Sequence, residues 1–86
     1  MPEICRFYGI AIYIYYNEHQ PPHFHALYGD REALISIETL SVIAGSLPPR
    51  TLGLVIEWAS IHRGDLEIAW NQATNHQKPD KIAPLE

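Results

Sequence analysis

The chain opens on a nearly unbroken apolar and aromatic stretch, Cys5 to Tyr16, that is rich in Ile, Tyr and Phe and holds no proline. β-Branched and aromatic residues fit a pleated, half-buried or buried surface, so this stretch predicts one strand, with Gly9 marking a bulge or bend. Residues Asn17 to Pro22 are turn formers ending in a Pro-Pro pair that cannot donate ladder hydrogen bonds, which predicts an irregular loop. His23 to Tyr28 reads as a second strand, Gly29-Asp30 as a tight hairpin turn, and Glu32 to Glu38 as a third strand. Gly45 to Pro49 is a connector.

Beyond Pro48 the period changes. Leu52, Val55, Ile56, Ala59 and Leu66 recur at helical spacing, and Leu54, Trp58, Ile61 and Ile68 form a second apolar stripe. A helix follows, capped by Ser46 or a neighbour, with proline in its first turn, stopped or kinked at Gly64 and ending near Trp70. From Thr74 the chain turns polar, predicting a loosely ordered tail over residues 74–86 in which Ile82 to Leu85 docks as a short strand. The expected fold class is α+β: a small three-stranded, mostly antiparallel sheet with one main helix packed on it.

Composition narrows the setting. A chain of 86 residues is the size of one small domain, here residues 1–86, and its 47% apolar and 19% charged residues are those of a chain that buries a core. A domain this small buries only about 60% of its unfolded surface, so a partner subunit would help it. Cys5 is the single cysteine, which excludes an internal disulfide and a thiolate zinc knuckle and fits a reducing compartment. No basic segment precedes an apolar one, and the longest apolar run, Ile10 to Tyr16, is too short to cross a bilayer, so a cytoplasmic protein with no membrane role is expected. The net charge of −4 and only six scattered Lys and Arg disfavour a nucleic-acid-binding surface.

The candidate chemistry lies in NEHQPPHFHALYGD, residues 17–30, which holds three of the five histidines. Side chains alternate along a strand, so His23 and His25 share one face while Phe24, Ala26 and Tyr28 share the other. Two neutral imidazoles side by side suit a zinc-class ion, with His19 or Glu18 reaching in from the loop as third ligand. They equally suit an acid/base pair, because histidine titrates near neutrality. A third reading leaves them on an exposed strand face, bonded to backbone or to Asp30. Arg6, in an apolar strand, either snorkels to water or pairs with an acid such as Glu38. His62-Arg63 are cations that suit a helix C-terminus. No phosphate-binding glycine loop, nucleophile elbow or paired-carboxylate motif is present.

The opening run through "SLP", the later LVIEW and the closing KIAPLE resemble a small bacterial family catalogued as the domain of unknown function DUF4160, the segment P-P-H-F-H with the following Y-G-D being the most specific part. The resemblance implies a gene neighbour, another small protein, in an arrangement like a toxin-antitoxin pair, with this chain as the toxin-like, effector half. It supplies no catalytic residues. Gly53 departs from the family's pattern, in which a basic or other helix-forming residue follows the P-x-R-x-L segment; the glycine costs helix stability and removes one phosphate contact, which weakens a nucleic-acid reading.

Three functional readings follow. The first is an effector acting through its cognate protein partner, or as a homodimer, with Leu54, Trp58 and Ile61 as the docking stripe. The second is a ribonuclease in which His23 and His25 perform acid/base work and Arg6 or Arg31 binds phosphate. The third is a metal-binding module built on His19, His23 and His25; apart from zinc under that reading, no cofactor is expected.

Overall fold

The computed structural model describes residues 2–16 and 18–86; Asn17, at the start of the predicted turn, lies outside the described residues. The fold is α+β, as expected, but the antiparallel sheet has five strands rather than three. They are β1 (Glu3–Phe7), β2 (Ile10–Tyr13), β3 (His23–Tyr28), β4 (Arg31–Ser36) and β5 (Val42–Gly45), paired in chain order as a meander. Two helices follow, α1 (Pro49–Ile61) and α2 (Arg63–Thr74).

The extra strands have local causes. Tyr8 and Gly9 both adopt positive φ, 50° and 77°, which makes a two-residue turn whose twist matches a hairpin. The stretch read as one strand therefore folds back on itself, pairing Phe7 with Ile10 and Arg6 with Ala11. β5 forms where no strand was expected, pairing Ala33 with Gly45, Leu34 with Ala44 and, past a register shift, Ile35 with Val42. The Gly29-Asp30 turn joins β3 to β4 as predicted, and β3 takes the central place in the sheet.

One sheet face carries Ile10, Ile12, Phe24, Ala26 and Ile35, all fully or nearly fully buried with Val55, Trp58 and Ala59 of α1 and Leu66, Ala69 and Trp70 of α2. The buried side of α1 thus runs through Thr51, Val55, Trp58 and Ala59, between the two stripes read from the sequence. Pro49 occupies the first helical turn as expected, but Pro48 rather than Ser46 stands at the cap position and no side chain caps the helix, while the Ser46 amide donates to Glu32 O at 3.1 Å. The break between the helices falls at His62 rather than Gly64: His62 leaves helical geometry at φ −111° and ψ 25°, and α2 runs on to Thr74.

The proposed docking stripe is largely internal. Trp58 is fully buried, its ring 5.5 Å from Phe7 and 5.8 Å from Phe24, and its indole N–H donates to Ala83 O at 2.8 Å. Leu54 is half-buried against the core, and of the three residues only Ile61, 63% exposed, faces outward. The cover comes from the last segment, which docks without becoming a strand: Ile82 N donates to Ile4 O at 2.8 Å and the Ile82 side chain is buried. Among the described residues no helix is long and apolar enough to cross a membrane.

Candidate metal centre

Pro21 and Pro22 end the loop and deliver the chain into β3, whose alternation sends Phe24 and Ala26 into the core and turns His23 and His25 the other way. The two imidazoles lie on one face as predicted, with centroids 5.3 Å apart, but they are buried rather than displayed on an open strand. Trp70 of α2 packs 5.3 Å from His23, and Tyr15 meets His25 edge-on at 4.4 Å. Tyr13, opposite His25 in the sheet, stacks on Tyr15 at 5.8 Å.

The hydrogen bonds assign the ring nitrogens. His23 Nδ1 lies 2.8 Å from Pro21 O, a carbonyl that can only accept, so Nδ1 carries the proton. His25 Nδ1 lies 2.8 Å from Glu32 Oε2, not from Asp30, and donates in the same way. Both Nε2 atoms then face the two oxygens of Glu18: His25 Nε2 is 2.5 Å from Oε1 and His23 Nε2 is 3.4 Å from Oε2. His23 Nε2 is buried and has no hydrogen-bond partner. The short His25 Nε2–Glu18 Oε1 contact is a hydrogen bond that holds a proton between the two atoms, whereas His23, which donates through Nδ1, aims the lone pair of its Nε2 at the same carboxylate. A divalent cation would take the place of that proton and accept the His23 lone pair as well.

The donor set is two imidazoles and one carboxylate, with candidate ligand atoms within 4.8 Å of one another. Zinc-class ions take imidazole at about 2.0–2.1 Å, which makes the edge of a tetrahedral site roughly 3.3 Å. The His23–Glu18 separation matches that edge, and the His25–Glu18 contact has to widen when a metal replaces a proton. Glu18 is the third member of the cluster; His19 is exposed and lies outside it, because the loop turns Glu18 inward and His19 outward.

The arginines are not part of this site. Arg6 is exposed and bound by Glu3 through two hydrogen bonds, 3.1 and 2.7 Å, not by Glu38, and Tyr13 donates to the same carboxylate at 3.2 Å. The Arg6 guanidinium holds the Glu3 carboxyl below its usual range. Arg31 opens β4 opposite Tyr28 and is exposed. Burial, followed by the nearby Glu32 carboxylate, pushes the Tyr15 phenol up. Sequence reading missed Glu32: its only signal is its place two residues beyond the Gly29-Asp30 turn, where β4 pairs it with Leu27, on the same face as His25.

Fold and site together define a small α+β protein with a histidine–carboxylate centre at the middle strand of a five-stranded meander. Residues 9–71 match the family described as "Domain of unknown function (DUF4160)", and the chain belongs to that family. Glu18, His23, His25 and Glu32 fall inside the matched span, whereas β1 and the docked C-terminal segment fall outside it. Comparison with curated proteins and with solved structures returns no match.

Proposed function

We propose that this protein is a metal-binding module whose Glu18, His23 and His25 hold one zinc-class divalent ion. The observation that carries this reading is the pair of Nε2 atoms aimed at one carboxylate, one of them buried without a hydrogen bond, while each Nδ1 is occupied by an oxygen acceptor. Three protein ligands are one fewer than a closed structural zinc site uses, which leaves a coordination position for water or a bound group. The two carboxylates, Glu18 and Glu32, also make the cluster attractive to cations and unattractive to a phosphodiester.

The ribonuclease reading is the less well supported. It needs a cation beside the imidazoles to bind phosphate, and Arg6 is committed to Glu3. The cellular role we propose is that of effector in a two-gene module with a small protein partner, supported by the family resemblance. Expression of the chain without its neighbour is expected to arrest growth, and harmless expression would contradict that role.

The metal reading is tested by metal content. Purified protein loaded with zinc and dialysed is expected to retain about one equivalent, His23→Ala and His25→Ala to lose it, and His19→Ala to keep it. Zinc retained by the double histidine variant, or no zinc on the wild type, contradicts the reading.

A further inference from the structure

Glu32 touches the cluster without being able to join it. Its Oε2 is 2.8 Å from His25 Nδ1, the nitrogen on the far side of the ring from Nε2, and Glu18 alone supplies the carboxylate that faces both Nε2 atoms. We propose that Glu32 is the positioning residue of this centre: by accepting a hydrogen bond from Nδ1–H it fixes the tautomer and the rotation of His25, and its charge makes Nε2 a stronger donor toward the ion. The inference rests on the metal reading above.

Two features of the fold support the assignment. The Glu32 side chain is 45% exposed, so water could satisfy it, yet it bonds the ring edge-on while Tyr15 packs against the ring at 4.4 Å. Its backbone is also fixed from the other side. Ser46 N donates to Glu32 O, and Gly45, at φ +76°, approaches so closely that a Cβ built there would lie 2.1 Å from the same oxygen. The end of strand β5 and the residue after it therefore clamp the backbone of the residue that orients His25, a ring two strands away from β5. Carboxylate partners of metal-bound histidines typically change metal affinity 10- to 100-fold, roughly, when removed.

The test is zinc affinity by competition with a chromophoric chelator, with cobalt absorption as a second readout, on wild type, Glu32→Gln, Glu32→Asp and Glu32→Ala. Glu32→Ala is expected to weaken zinc binding by about 10- to 100-fold, with Glu32→Gln, which keeps an acceptor but loses the charge, weakened less. Glu32→Asp is expected to recover part of the loss, and the cobalt spectrum of Glu32→Ala to shift as His25 rotates. The urea midpoint of the metal-free protein is expected to stay close to wild type, separating positioning from folding. Wild-type zinc binding with Glu32→Ala within about twofold of it would overturn the proposal while leaving the site intact. Failure of the wild type to bind zinc would overturn both.

Discussion

His23 and His25 share one face of β3 because strand alternation is a property of the backbone, whatever the number of strands in the sheet. The third member of the cluster was not legible: adjacent residues Glu18 and His19 both offer donors, and only the path of the loop decides which turns inward. The assignment of ring nitrogens depends on Pro21 O and Glu32, contacts with no sequence signature. Cys5 illustrates the same limit. It reads only as a lone cysteine, but it is buried, and burial pushes its thiol up. A thiol raised above its ordinary value of 9.0 contributes stability that is present below that pH and lost as pH rises past it. A disulfide reagent at neutral pH is therefore expected to label Cys5 slowly in the native protein and rapidly in urea; rapid native labelling would contradict the burial. Glu3 behaves in the opposite sense. Its lowered carboxyl stabilises the fold above its ordinary value of 4.5 and ceases to do so as pH falls below it, so the small stability difference between wild type and Glu3→Gln is expected to vanish in acid. A difference that persists at low pH would contradict this account.

At the scale of elements, the helical period was read correctly while the division of the first apolar stretch was not. The apolar and aromatic run continues through Tyr8, yet Tyr8 and Gly9 are both exposed at the tip of the hairpin, so composition hides a turn that the positive φ at both residues makes. β5 escaped because its four residues are all exposed and carry no alternation. The two apolar helix stripes were real, but the sheet takes a path between them and the docked C-terminal segment caps Trp58. Glycine substitutions separate these elements clearly. Gly53 lies inside α1 with nothing within 4 Å of an added Cβ, and Gly53→Ala is expected to stabilise by about 0.5–1 kcal/mol. Gly45→Ala is expected to destabilise by roughly 1–3 kcal/mol, because positive φ and the Glu32 carbonyl both oppose a side chain. Thermal melts should move in opposite directions, by several degrees for each kcal/mol in a chain of about this size; a shift of the same sign for both would refute the placement of β5.

The whole molecule joins a helix-backed core on one side of β3 to a histidine–carboxylate cluster on the other. Trp58 holds the first part together: it lies between Phe7, Phe24 and the final segment, and Trp58→Ala is expected to cost about 3–5 kcal/mol, enough to unfold a small domain. An ion bound only to the folded chain stabilises it by mass action, about 2.7 kcal/mol at a hundred times its dissociation constant. The most direct measurement of the central claim is anomalous diffraction at the zinc edge from crystals grown with zinc. The account predicts one strong peak bonded to Glu18, His23 Nε2 and His25 Nε2, with Glu32 still on His25 Nδ1. An ordered zinc at His19, His62 or His76, with Glu18 and the two β3 histidines bonded only to one another, would contradict it.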